Sequence, residues 1–330
     1  MCNNTYINNE NDVTYKSFLT HKQTFLELLK GFVREDWVNE VSEDGLSLEN
    51  HSFILNDFQE READIIYKAK INGLDVYFYI LLELQSTVDH TMPFRLLVYM
   101  TELWKRVFAD SDENERKRKD YRLPAIIPMV LYNGSKSWTA VNNFLEYQTG
   151  YKCFKNNLLG FRYILIDISS YSESELYEIG TLISSIFMLD QDVDHEEWIK
   201  RFYKLIKIVQ RFSREQFVKF KRWVYKISHR NVPDIKREEL SKIIEEADLL
   251  EVEKMVMNLE VNMRKWMNEA KQEGRQEGRQ EGRQEGRQEG FEEGLYVAAK
   301  ALIQSGKTID EASGLLKLPK KIMDRIKNEQ

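Results

Sequence analysis

The residues best placed to do chemistry lie in one stretch. Glu60-Arg61-Glu62-Ala63-Asp64-Ile65-Ile66-Tyr67 is followed by Asn72-Gly73 and then by Tyr79-Ile80-Leu81-Leu82-Glu83-Leu84-Gln85. Asn-Gly between two strand-like runs is the strongest short-range signal for a two-residue hairpin turn. With that turn, paired positions sum to 145, so that 71 faces 74, 64 faces 81 and 62 faces 83. Side chains alternate along a strand, which sends Glu62, Asp64, Leu81, Glu83 and Gln85 to one face. Asp64 and Glu83 become diagonal neighbours, roughly 7–8 Å apart at the backbone, and their carboxylates can converge on one ion. Clustered carboxylates repel one another and a divalent cation relieves the repulsion; an all-oxygen site suits Mg2+ or Mn2+. Such an ion activates water and offsets charge developing on a phosphodiester. The plainer reading is a pair of solvated strand-end acids, and a slip of one residue in register would separate them.

The surrounding pattern is that of strands and helices in alternation. Ala63–Ile71, Val76–Gln85, Ala125–Tyr132 and Tyr163–Ile168 read as strands, rich in β-branched and aromatic residues. Val76–Leu82 is apolar without alternation, as a central strand covered on both faces requires. Tyr15–Trp37, Pro93–Phe108 and Glu173–Leu189 read as amphipathic helices. Strands alternating with helices predict an α/β layer domain over residues 1–190. A basic helical region is expected over 191–270, where Ser213 with Gln216 forms a capping box and a charged helix runs from about Glu238 to Ala270.

Residues 271–294 repeat Gln-Glu-Gly-Arg, with glycines at 274, 278, 282, 286, 290 and 294. No Glu–Arg pair falls at i,i+3 or i,i+4, and each Gly costs a helix about 1 kcal/mol. A flexible linker is therefore expected, the alternative being a close helix–helix contact along the glycine track of an oligomer. Residues 295–330 outline a small helix-turn-helix-like or oligomerisation module. It has a helix ending at Gly306, a second capped by Thr308 with Glu311, and a third starting at Pro319 and carrying Lys320, Lys321, Arg325 and Lys327.

The run READIIYKAKINGLDVYFYILLELQS, then MPFRLLVY, then LPAIIPMVLYNG resembles the recombination-promoting nuclease (Rpn) family, whose members are also described as PD-(D/E)XK nuclease family putative transposases. The resemblance covers about Ser17 to Ser169, and the glutamate/glycine repeats of the tail recur in that family too. It implies an α/β fold: a restriction-endonuclease-like mixed sheet flanked by helices, followed here by an all-helical C-terminal region. It further implies a metal-dependent DNA endonuclease that promotes recombination. Asp64 resembles the family's metal-binding aspartate and Glu83 the acid of (D/E)XK, while Gln85 stands where that motif has lysine. Lysine would orient water and offset charge; glutamine can only hydrogen-bond. Glu27, on the preceding helix, is a candidate additional ligand, against the commoner reading of a solvated helix-face acid. The implied cofactor is Mg2+, or Mn2+ or Ca2+. A transposase using three dispersed acids is disfavoured, since no third strand-end acid stands out.

Arg95 and Tyr99 share a helix face and read either as a phosphate clamp or as a packing pair with a snorkelling Arg. From Lys200 to Arg237 there are thirteen Lys/Arg against two acids, a net +11 that leaves −17 for the rest of the chain. Lys204, Lys207, Arg211, Lys221 and Arg222 are the expected phosphate contacts there, salt-sensitive and indifferent to sequence. The interleaved aromatics, by contrast, read as core. The expected partners are DNA and further copies of the chain. The competing reading is a non-catalytic DNA-binding or assembly protein on a nuclease-like scaffold.

Composition narrows the field. With 330 residues, 42% hydrophobic and a formal charge of −6, the chain is no disordered polyanion. Its longest charge-free run, Leu123–Ser135, has 13 residues, too few to cross a bilayer. MCNNTYINNENDV has no basic-then-apolar pattern, so no export is expected. Two cysteines, Cys2 and Cys153, make no disulfide framework, and with five scattered histidines they offer no zinc site. A cytoplasmic location is the expectation.

Overall fold

The computed structural model describes residues 15–49, 65–83, 88–134, 136–229 and 236–328. Five strands form one mixed sheet in sequence order: β1 (Leu46–Glu49), β2 (Ile65–Ile71), β3 (Leu74–Glu83), β4 (Ala125–Tyr132) and β5 (Ile164–Asp167). β1, β2 and β3 are antiparallel neighbours, whereas β3, β4 and β5 run parallel. The mixed sheet flanked by helices is the expected fold class. β1 has no counterpart in the sequence reading, because a four-residue strand is too short to show a period.

Each face of the sheet carries helices. On one side Phe25 of α1 (Lys22–Phe32) stacks on Tyr67 of β2, with ring centroids 4.3 Å apart, and meets Phe78 of β3 edge-on at 5.5 Å. On the other, α2 (Met92–Asp110) buries Met92, Leu96, Tyr99, Met100 and Leu103 against Tyr77, Tyr79, Leu81 and Val130. β3 is thus covered on both faces, with Phe78 to Leu81 at 0–1% exposure. Its unbroken apolar run has this position as its cause.

The helix expected over Glu173–Leu189 is two helices, α3 (Glu173–Ile179) and α4 (Leu182–Asp190). Gly180 stops the first at φ 63°, in the left-handed region open to glycine, and Thr181 caps the second. Tyr15–Trp37 is likewise interrupted, a helical turn over 15–19 preceding α1. The basic segment forms α5 (His195–Val209) and α6 (Arg214–His229), followed by α7 (Arg237–Glu245). Trp198, Phe202, Leu205 and Val209 are buried along one stripe of α5, and Phe202 meets Phe220 of α6 edge-on. α5 and α6 pack with α4, and α7 with α6, in a compact unit that runs to Glu260, so residues 191–260 fall in the same unit as the sheet. The reason is the apolar stripe: Phe202, Leu205 and Val209 are at 0% exposure.

A second unit covers Val261–Gln330. A single 53-residue helix, α8 (Val252–Gln304), passes through the glycine repeat where a flexible linker was expected. The repeat lies between helical segments, so it extends a helix without nucleating one, and Gln, Glu and Arg are good helix formers. At the repeat's glycines, 274 to 294, an added Cβ would meet nothing within 4 Å. Beyond it α9 (Ile309–Leu316) and α10 (Lys320–Asn328) fold back so that Leu318, Ile322 and Ile326 cluster with Tyr296 and Ala299. Among the described residues no helix is long and apolar enough to cross a membrane.

Candidate active site

The hairpin forms as its residues dictate. Asn72 (φ 51°) and Gly73 (φ 80°) both take left-handed conformations, and the flanking pairs run from Ile71↔Leu74 to Ile65↔Ile80. Every one of these pairs sums to 145, the register that the sequence requires. β3 ends at Glu83, whose Cα pairs with Tyr132 at the end of β4, and Tyr132 pairs with Asp167 at the end of β5. The three parallel strands therefore finish level, and ligands of open α/β sheets bind outside such carboxyl ends. Asp64, Gln85 and the side chain of Glu83 lie outside the described residues. Among the described residues no group of three or more His, Cys, Asp or Glu could hold a metal.

Asp167 is a strand-end acid that the sequence reading missed. At 7% exposure it accepts hydrogen bonds from Ser169 Oγ (2.6 Å), the Ser169 N–H (3.0 Å) and the Trp138 N–H (3.3 Å). Its oxygens organise two loops at the sheet end. Nothing in the pattern flagged it except its place as the last residue of an apolar run. In the turn after β4, Asn133 donates to Asp190, which also accepts from the Tyr15 hydroxyl at 2.6 Å.

Arg95 and Tyr99 share a face, as expected, and it is the packing face. Arg95 is 8% exposed and places Nη1 2.5 Å from Oδ2 of Asp89; Tyr99 stacks on Tyr79 at 5.3 Å. Asp89 was not anticipated. Burial would push its carboxyl up, but hydrogen bonds from the Thr91 hydroxyl, the Arg95 guanidinium and the Thr91 N–H hold it below the usual range. The signal in the sequence was Asp-x-Thr ahead of a helix, the pattern of an Asx turn.

Glu27 is engaged elsewhere. It accepts a hydrogen bond from Gln216 Nε2 at 3.0 Å and lies against the N–H groups of Leu182 and Ile183, at the start of α4. Burial pushes its carboxyl up despite those donors. Its local role is to answer a helix N-terminus.

The basic side chains divide into committed and available groups. Lys204 and Lys207 lie one turn apart on α5, with Lys204 paired to Glu173, and Arg211 follows in the turn just past its end. Lys221 is committed: its Nζ donates to the carbonyls of Glu245 (3.0 Å), the last residue of α7, and Ala247 (2.9 Å) just beyond it, and lies over the Phe217 ring. Arg222 is exposed. Phe202, Phe212, Phe217, Phe220 and Trp223 are buried, as core. In the second unit Lys321 pairs with Glu292 at 3.2 Å and Arg325 with Glu293 at 2.7 Å, so two of the cations that suggested DNA on α10 are answered within that unit.

A family model described as putative transposase, YhgA-like, matches residues 9–217. The recombination-promoting nuclease RpnD of Escherichia coli O157:H7 is 29% identical over 172 residues, covering 51% of this chain and 62% of that protein. RpnC of Escherichia coli K12, also named a recombination-promoting nuclease, is 27% identical over 124 residues, 37% of this chain and 38% of its own. RpnE of the same strain, named an inactive recombination-promoting nuclease-like protein, is 27% identical over 126 residues, 38% and 40% of the two chains. The chain thus spans between about two fifths and three fifths of the length of these curated relatives. No solved structure matches.

Proposed function

Because the chain belongs to the YhgA-like putative transposase family, and because relatives named recombination-promoting nucleases align with it, we propose that it is a metal-dependent DNA endonuclease with Asp64, Glu83 and Gln85 as its catalytic set. The observation that carries the proposal is the hairpin register. With pairs summing to 145 across Asn72-Gly73, the alternation read from the sequence assigns Asp64 and Glu83 to a common face. Glu83 also closes a central strand level with β4 and β5, where an acid needs a partner.

In this reading Asp64 and Glu83 hold Mg2+, with Mn2+ or Ca2+ as alternatives, and Gln85 hydrogen-bonds water or substrate. The bound ion would supply Lewis-acid activation of water. Lys204, Lys207, Arg211 and Arg222 hold DNA phosphates. Arg95 and Tyr99 support the sheet end from α2, where the buried pair with Asp89 fixes the guanidinium. The test is nicking of supercoiled plasmid by purified protein with Mg2+, with EDTA, and by Asp64→Ala and Glu83→Ala. Metal-dependent nicking lost in both variants is the expected result; undiminished nicking by both ends the assignment.

The second reading is DNA binding without cleavage, favoured by one observation: an aligned relative bears a name that calls it inactive. It requires salt-sensitive DNA binding with no nicking under any divalent ion.

A further inference from the structure

Between α3 and α5 runs an open groove of about 690 Å³, lined by Glu173, Ser174, Tyr177, Tyr203, Lys204 and Lys207. That volume falls within the roughly 300–1,000 Å³ of small-molecule sites, enough for one nucleotide. Its chemistry is mixed in a specific way. Two lysines one turn apart on α5 supply positive charge, and two tyrosines on facing helices supply ring surface.

The polar groups differ in how firmly they are held. The Tyr203 hydroxyl donates to Glu260 at 2.7 Å, fixing that ring, whereas Tyr177 is 38% exposed as a residue. Among the described residues Lys207 has no carboxylate partner. Lys204 pairs with Glu173, but it is largely exposed, and exposed pairs of this kind are easily exchanged. The other oxygen of Glu173 lies 3.8 Å from the Nε of Arg201, a guanidinium that it shares with Glu197 at 3.4 Å, so Glu173 keeps a cation nearby when Lys204 turns away. Arg211, one turn beyond Lys207 and exposed, extends the positive track.

We propose that this groove is a subsite for one unstacked nucleotide of a single-stranded nucleic acid, its base on the Tyr177 ring and its phosphate on Lys204 and Lys207. The proposal rests on the DNA-binding reading above and deepens it by naming the strand form. A base inside a duplex cannot reach the ring without leaving its stack, whereas single-strand sites combine a basic track with aromatic faces. Single strands, gaps and overhangs are therefore preferred over intact duplex.

Fluorescence anisotropy with fluorescein-labelled (dT)15 and a 15-bp duplex, in EDTA so that nothing is cut, tests this. Tyr177→Ala is expected to weaken (dT)15 binding by about 5- to 150-fold, the effect of losing one stacked base. It should leave the duplex unchanged, while Tyr177→Phe stays within about twofold of wild type because the ring is retained. Lys207→Gln should reduce the slope of log K against log salt for (dT)15 by about 0.7, one phosphate contact; Lys105→Gln, on the distant face of α2, should change nothing. The proposal is overturned if wild type does not bind (dT)15, if Tyr177→Ala binds it as wild type does, if Tyr177→Ala loses both ligands equally, or if Lys207→Gln keeps the full slope. Loss of nicking in Asp64→Ala with (dT)15 binding intact would leave the groove standing, and intact nicking with no (dT)15 binding would remove the groove alone.

Discussion

A Cβ on Gly134 would lie 2.0 Å from the hydroxyl oxygen of Tyr132 and 2.6 Å from its ring edge, so the tyrosine that ends β4 folds back over a residue that must lack a side chain. The hydroxyl then donates to the Lys136 carbonyl at 2.7 Å, and the ring meets Trp138 edge-on at 4.9 Å. Gly134→Ala should destabilise the first unit by about 1–3 kcal/mol, the range for overpacking a filled site. Gly160→Ala, where a Cβ would meet its nearest neighbour at 3.7 Å, should be tolerated. Urea melts of both variants check the contrast; equal stability would mean that the Tyr132 ring swings away freely.

The Asp89–Arg95 pair makes a prediction with a definite sign. The folded carboxyl is held below its ordinary value of 3.8. Its contribution is therefore present above that value and lost as pH falls through the depressed one. Asp89→Asn should flatten the acid limb of the stability curve. Arg95→Met should cost roughly 2–4 kcal/mol at neutral pH, less than for a fully buried pair because Asp89 keeps 24% side-chain exposure. A double-mutant cycle measures the coupling; additive costs would show that the two residues act separately.

Glu27 gives the opposite sign. Burial raises its folded carboxyl above 4.5. Its contribution is complete below 4.5 and declines as pH rises through the raised folded value. Relative to Glu27→Gln, wild type should therefore lose stability on going from acid to neutral pH. Urea melts of the two proteins across that range supply the test, and parallel curves would show that the carboxylate is solvated.

Arg325 lies 3.9 Å above the Tyr296 ring and pairs with Glu293. Arg325→Ala should loosen the second unit by about 1 kcal/mol, seen as faster amide exchange at Tyr296, Ile322 and Ile326. DNA affinity should stay as it was. A fall in affinity with unchanged exchange would return this helix to the DNA-binding reading.

Some elements were legible because their causes are local. Asn72-Gly73 fixes both a turn and a register, since the left-handed conformations it favours admit one pairing. Ala125–Tyr132 could be bounded to the residue by its apolar run. The boxes at Ser213 with Gln216 and Thr308 with Glu311 formed because a cap needs only residues three apart. Gly180 could have been read as a stop, but the apolar pattern continues through it and hid the break.

By itself, then, the amino-acid order determined the hairpin and the buried central strand, because both follow from dihedral preference and side-chain pattern over a few residues. Only the tertiary structure decided which charges are answered and by whom. Arg95 finds Asp89 within a single loop and helix turn, but Glu27 meets Gln216 across 189 positions and Lys204 meets Glu173 across 31. Coulomb attraction and desolvation depend on distance in space, which spacing along the chain does not record.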